Sequence, residues 1–214
     1  MHISDGIVPV PLAAAAWGVA LVSVARGLRF LTLERVPRAA LVSAVVFIAA
    51  ATVRFPLGVA SLHPVLNGLA GILLGPAVLP AYFVGLLLQA LLLQFGGVTS
   101  LGLNTLILAF PAVGAGYVFR VLRRQFPSKK NLFWSAAIVG VLAPLFSSAL
   151  WAGTLFFSEK SFAPLASLGM VPHILLALIE GGVAGTVADY LGRFRPEFIS
   201  SSEEGLGSSA GPLD

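Results

Sequence analysis

Cysteine is absent from the 214 residues, which removes disulfides, thiolate metal ligands and thiol nucleophiles together. Charge is scarce as well. Only 10% of the residues are Asp, Glu, Lys or Arg, against about a quarter in soluble domains. With 57% hydrophobic residues and a mean hydropathy of +0.96, the chain reads as an all-α membrane protein with no room for a second soluble domain. No phosphate-binding loop of the G-x-x-x-x-G-K-[ST] type is present, so the chain does not hydrolyse ATP itself. Imidazole is limited to His2, His63 and His173, and a transition-metal site would have to use nitrogen or oxygen donors. The pI near 10.0 does not indicate a nucleic-acid patch, because the bases fall in short clusters between apolar runs, which is a topology signal.

Apolar runs are what the chain has in abundance, and they divide it into seven helices. The first covers about residues 9–25; prolines flank its start, and the alanines at 13 to 16 with Gly18 and Ala20 give it a smooth surface suited to close helix contact. A loop with Arg26, Arg29, Glu34, Arg35 and Arg38 leads to a second helix over residues 39–53, where Ala40 and Ala44 lie one turn apart. After a loop containing Ser61 and His63, residues 65–95 are long enough for two short spans at about 1.5 Å per residue. Gly75, Pro76 and Pro80 break this stretch and predict a helical hairpin, helices 3 and 4. Residues 96–105, reading GGVTSLGLNT, are too glycine-rich for a helix and too apolar for a solvated loop. They are expected to dip into the bundle, since non-helical backbone at membrane depth must be covered by protein or a water-filled cavity. Helices 5, 6 and 7 are expected over residues 106–122, 132–157 and 168–191, with Pro144 kinking the sixth. One transmembrane domain thus occupies residues 1–192, and the Ser-, Gly- and Glu-rich residues 193–214 are expected to be a disordered cytoplasmic tail.

The bases orient this arrangement. Loops after helices 1 and 5, together with the tail, hold eleven of the thirteen Lys and Arg, leaving Arg54 and Lys160 for the other side. The positive-inside rule then puts the tail in the cytoplasm and Met1 outside. All three histidines fall on the outer face, with the 96–105 loop.

The opening residues MHISDGI are polar where everything after them is apolar. They are not a secretory signal, because no basic segment precedes the apolar run and no small-residue cleavage site follows it. A frayed polar end before a membrane helix is one reading. A metal chelate is the other. The α-amine titrates near 7.7–8 and is available as a ligand around neutral pH. The His2 amide nitrogen and the His2 imidazole are covalently adjacent to it, so the three occupy three corners of a square plane. His63 is the natural fourth donor. Tetragonal nitrogen coordination suits Ni(II) and Cu(II) and is poor for Mg(II), Ca(II) or tetrahedral Zn(II).

The MHISDG start resembles that of the nickel/cobalt-specific substrate-binding subunits (S, or M-type) of energy-coupling factor transporters. Similar to the same family are Ser61-Leu-His63 leading to Asn67-Gly-Leu and Leu74-Gly-Pro76, the stretch from Gly96-Gly97 to Asn104, and His173 with Ile179-Glu180-Gly181. The resemblance covers about residues 1–192 in the same order. Ser4 stands where the family more usually has proline, which leaves the ligands untouched. The resemblance implies that Met1, His2 and His63 bind the ion, in a site plugged by the N-terminal segment inserted into the bundle. It assigns no ligand role to His173. Asp5, His173 and Glu180 are read as neighbours of the site or gating groups, and a mid-helix Glu180 needs a partner. Thr99 and Asn104 are expected as donors that fix the imidazoles, or alternatively as caps of the dipping loop.

The same resemblance implies capture of Ni(II) or Co(II), as transported substrate, at a bacterial or archaeal cytoplasmic membrane. Partners would be a transmembrane coupling (T) subunit, two ABC ATPase subunits and, optionally, a small accessory membrane subunit. Ala40 and Ala44 are candidates for the coupling contact, or else pack inside the chain. A rival from another class is an intramembrane serine hydrolase, with Ser61 or Ser100 as nucleophile and His63 or His173 as base; no nucleophile elbow supports it. A structural membrane subunit would leave the MHISDG start unexplained.

Overall fold

The computed structural model describes residues 2–52, 55–57, 60–158 and 163–199. Within them lie seven α-helices: α1 (Val10–Leu28), α2 (Val36–Thr52), α3 (Asn67–Leu74), α4 (Val78–Leu92), α5 (Leu101–Gln125), α6 (Lys130–Ser158) and α7 (Ala163–Phe194). Helices α1, α5, α6 and α7 are each long and apolar enough to cross a membrane, and the 17-residue α2 is a shorter apolar helix. The protein is a multi-pass membrane protein.

The stretch Asn67–Leu92 also has the length and hydropathy of a span, yet it is folded in two. A 3-10 turn at Gly75–Ala77 separates α3 from α4, and Gly75 adopts φ 55°, ψ −134°, a conformation that a Cβ would penalise. The Tyr82 hydroxyl donates to the Val65 carbonyl at 2.6 Å. A continuous helix would place those residues about 22 Å or more apart along its axis, so the chain reverses at the turn. The hairpin expected from Gly75-Pro76 is present, with both arms short.

Close helix contacts come from glycine. A Cβ on Gly71 would stand 1.8 Å from the Ala112 carbonyl oxygen of α5, and one on Gly116 2.5 Å from the Gly71 carbonyl oxygen. A Cβ on Gly140 of α6 would lie 2.9 Å from Gly181 Cα of α7. Side-chain to backbone bonds add to this, as is expected where lipid offers no hydrophobic drive between helices. Ser43 of α2 donates to the Ala81 carbonyl of α4 at 2.8 Å, and Gln89 of α4 to the Val46 carbonyl of α2, also at 2.8 Å.

The structure amends several boundaries. Leu101 already begins α5, so residues 101–105 are helical; only residues 93–100 lie outside helix, with Gln94, Gly96 and Gly97 at positive φ. Leu101, Asn104 and Thr105 all turn a side chain inward, and a helical face accounts for their apolar pattern as well as a loop does. The all-helical expectation gains a small antiparallel sheet of order β1-β3-β2, made of β1 (His2–Ile3), β2 (Phe55–Leu57) and β3 (Ala60–Leu62). At the other end of the bundle α7 runs to Phe194, beyond the expected domain limit at 192. The chain beyond it folds back, with Ile199 buried and the Arg38 guanidinium 4.2 Å from the Phe198 ring centroid. Residues 200–214 lie outside the described residues. Ala40 and Ala44 are exposed on α2, so they do not pack inside the chain.

Candidate metal centre

The N-terminal segment is built into the bundle as a strand. β1 pairs with β3 in the register His2↔Ser61 and Ile3↔Ala60. On Ile3 a side chain of α5 takes the place of a further strand: Asn104 Oδ1 accepts from the Ile3 N–H at 2.9 Å, and Asn104 Nδ2 donates to the Ile3 carbonyl at 2.9 Å. Ile3 and Asn104 are both buried, so these bonds replace water that the site excludes.

Below the segment lies the Gly96-Gly97 turn, which sequence reading linked to a covered loop for its composition. Its actual use is steric. Gly97 has φ +108°, and a Cβ there would overlap the Asp5 carboxylate at 2.2 Å; Gly96 has φ +77°, and its Cβ would lie 2.9 Å from Asn104 Nδ2 and 3.6 Å from His2 Cβ. Asp5 Oδ1 accepts from the Thr99 hydroxyl at 2.6 Å and from the Ser100 N–H at 2.9 Å. This places a carboxylate at the amino end of α5, where the helix dipole and the unpaired N–H groups favour it. Burial alone would raise the Asp5 pKa, but the hydrogen bonds from Thr99 and Ser100 outweigh it and hold the carboxyl below its usual range. Thr99 and Asn104 were expected to orient imidazoles. The Thr99 hydrogen goes instead to Asp5, and the Asn104 amide hydrogens go to Ile3 and to Ser100 Oγ (3.3 Å). Both residues grip the segment, not the rings.

His2 and His63 come together at its tip. Their rings stack with centroids 4.6 Å apart and planes inclined by 29°, and the residues are 2% and 1% exposed, which leaves no room for a solvating shell around either ring. His63 Nδ1 lies 2.9 Å from the Pro64 carbonyl. A carbonyl only accepts, so Nδ1 carries the hydrogen and Nε2 the lone pair. Among the described residues no three His, Cys, Asp or Glu side chains cluster, so donors beyond two imidazoles would have to come from other groups, backbone and amine nitrogen among them. Met1 lies outside the described residues, as does the Ser61 side chain.

The other histidine stands apart from this pair in its contacts. His173 is buried in α7, its Nδ1 2.5 Å from the Gly169 carbonyl and its ring 5.0 Å from that of Trp151. Glu180, in the same helix, finds its partners in backbone: Oε1 accepts from the Val65 N–H at 2.6 Å and Oε2 from the Leu66 N–H at 2.7 Å. The Ser100 hydroxyl points to the Gly96 carbonyl at 3.0 Å, so it is not paired with a histidine as a hydrolase nucleophile would be. Two participants escaped sequence reading. Tyr82 holds the Val65 carbonyl, and Trp17 Nε1 donates to the Val98 carbonyl at 3.1 Å, tying α1 to the glycine turn. Neither belongs to a motif, and only an interruption of an apolar helix by a polar-tipped aromatic marked them.

Comparison with known proteins places the chain, as a whole, in a family. Residues 2–198 match the family model CbiM, described as cobalt uptake substrate-specific transmembrane region. A Haemophilus influenzae protein whose name assigns it to metal transport is 37% identical over 207 residues, covering 95% of this chain and 98% of its own length. A protein of Archaeoglobus fulgidus named as a fused nickel transport protein, NikMN, is 31% identical over 202 residues, which cover 93% of this chain and 68% of that protein. Among solved structures, a crystal structure of a transition metal transporter superposes with a TM-score of 0.75 at 24% identity, over 90% of this chain and 93% of the other, and shows the same fold.

Proposed function

The chain belongs to the CbiM family of cobalt-uptake, substrate-specific transmembrane proteins, and we propose that it captures one Co(II) or Ni(II) ion outside the cell as the substrate-binding subunit of an energy-coupling factor transporter. It is a transport component and not an enzyme.

The observation that carries this reading is the buried His2–His63 stack. With metal–nitrogen bonds of about 2 Å, two imidazoles at right-angled positions of one ion have centroids about 4.5 Å apart, and two at opposite positions about 6 Å. The 4.6 Å separation suits neighbouring corners. In a plane where the Met1 amine, the His2 amide nitrogen and the His2 imidazole occupy three consecutive corners, the fourth corner is adjacent to the His2 imidazole. His63 is the ligand that fits it. Nitrogen in a tetragonal set suits Ni(II), and family and relatives together name cobalt and nickel. The grip of Asn104 on Ile3 and of Thr99 and Ser100 on Asp5 supports a segment that also closes the site over its ion.

The distribution of the bases supports an orientation with this end of the bundle outside the cytoplasmic membrane and the residues after α7 inside. Energy would come from partner chains: a transmembrane coupling subunit, two ATPases and, optionally, a small accessory subunit. The exposed Ala40 and Ala44 supply a smooth face on α2 for the coupling subunit.

Metal stoichiometry on protein purified with its native amino terminus tests the reading. One Co or Ni per chain is expected, lost on His2→Ala, on His63→Ala, and on placing a single residue before Met1. Full occupancy in the extended protein would remove the amine from the donor set.

A further inference from the structure

We propose that Glu180 is the positioning residue for His63, acting from α7 through the backbone of residues 64–66. The inference rests on His63 being a ligand of the transported ion, and it concerns how that ring is held.

Residues 63–66 join β3 to α3 without helical or strand partners, deep in the protein: His63 and Val65 are buried and Asn67 is fully so. Every polar backbone group of residues 64–66 has an assigned partner. Pro64 has no N–H, and its carbonyl accepts from His63 Nδ1 at 2.9 Å. The Val65 N–H goes to Glu180 at 2.6 Å and the Val65 carbonyl to the Tyr82 hydroxyl at 2.6 Å. The Leu66 N–H goes to Glu180 at 2.7 Å, and the Leu66 carbonyl accepts from Ala70 N–H in the first turn of α3 at 2.9 Å. Leu66 itself sits at φ 55°, a left-handed conformation in which the Cβ of an L-residue is crowded, so local preference would not choose this path. The carboxylate does, by taking two adjacent N–H groups at once.

The consequence reaches the ring in one step. The Pro64 carbonyl that selects the His63 tautomer is the group bonded to the Val65 nitrogen, and the peptide unit joining them is planar. Glu180 grips that unit from its N–H side while His63 Nδ1 grips it from its carbonyl side. Turning this peptide plane would remove the acceptor that keeps the hydrogen on Nδ1 and the lone pair on Nε2. Both carboxylate oxygens accept, so Glu180 works as the anion. A glutamine in its place must turn its NH2 toward one of the two N–H groups, whichever way it is flipped.

A carboxylate serving only to satisfy buried amides would affect stability without moving the imidazole, and histidine spectroscopy separates the two roles. Full-length protein with its native amino terminus is labelled with 15N-histidine, and the His63 ring signals are identified by their loss in His63→Ala. Without metal, the wild type should show one neutral Nδ1–H tautomer at His63. Glu180→Gln should show a mixture, and Glu180→Asp, which keeps the charge with a shorter reach, should fall between. Loaded with Ni(II), Glu180→Gln should lose the ion to a chelator about 10–100-fold faster, with an altered d–d circular dichroism band, and Glu180→Asp should regain part of both. A wild-type His63 pattern in the folded variants overturns the proposal, whatever their melting temperatures. Should Glu180→Gln not fold, Glu180→Asp carries the same decision. Failure of the wild type to bind Ni(II) or Co(II) would overturn the metal reading, while the metal-free histidine spectra would still decide the role of Glu180.

Discussion

Asn104 holds the N-terminal segment by two bonds to one residue, and Asn104→Ala would release both. The Ile3 N–H and carbonyl each sit 2.9 Å from the Asn104 amide, in a place where Ile3 is 1% exposed. A net hydrogen bond contributes about 1 kcal/mol, and a buried group left without a partner adds about 1–3 kcal/mol to the loss. If water enters to replace the amide, the seated segment loses about 2 kcal/mol; if the site stays dry the loss is larger. At about 1.4 kcal/mol per tenfold, the smaller figure means roughly 30-fold more frequent opening. Alanine is the better helix former, so α5 itself should be unharmed and the effect local. Hydrogen exchange followed by mass spectrometry reads the opening directly at the first residues of the chain. Protection there should fall by at least that factor, with exchange in the middle of α6 unchanged. Chelator-driven loss of bound Co(II) or Ni(II) should quicken in proportion. Equal protection in the variant and the wild type would refute the view that Asn104 acts as the missing strand.

The same segment should respond to pH through Asp5. Its carboxyl titrates below the usual range because Thr99 and Ser100 donate to the anion, so the group contributes fully at neutral pH and its contribution is lost only as pH falls through that depressed value. The share of exchange protection due to Asp5, read as the difference between wild type and Asp5→Asn, should therefore be level from neutral pH down to the ordinary carboxylate range and be lost below it. Asp5→Asn should be weaker at neutral pH and lack that acid drop; an unchanged drop would assign it to another group. In the bundle, Gly71→Ala would set a methyl 1.8 Å from the Ala112 carbonyl oxygen, a backbone atom that no rotamer change can move, whereas Gly18→Ala meets nothing within 4 Å. The first should lower the thermal midpoint in detergent, corresponding to about 1–3 kcal/mol, and the second should leave it in place. Matching midpoints would show that α3 and α5 can part without loss.

How much of this was legible beforehand depended on where each signal resides. Composition and the spacing of apolar runs determined a multi-helix membrane protein, because lipid demands long apolar segments whatever the fold. Gly75-Pro76 marked the hairpin, since those residue types suit few other backbones. His2 stood out because a polar start to an apolar chain sets an imidazole beside the α-amine, and His63 because the base count brings it to the same face. The resemblance of MHISDG then attached a function. Tertiary structure alone decided what holds the histidines. Asn104 and Glu180 bond to the backbone of Ile3, Val65 and Leu66, and a backbone group looks the same under every side chain, so no pairing of residue types announces such a contact. The start of α5 at Leu101 escaped for a related reason. Glycine and asparagine are poor helix formers locally, but Gly102 is required by the close approach of the Trp17 backbone (2.7 Å from its Cβ position), and Asn104 by the strand at the start of the chain. Both demands are set by residues about a hundred or fewer positions away, beyond the reach of any local propensity.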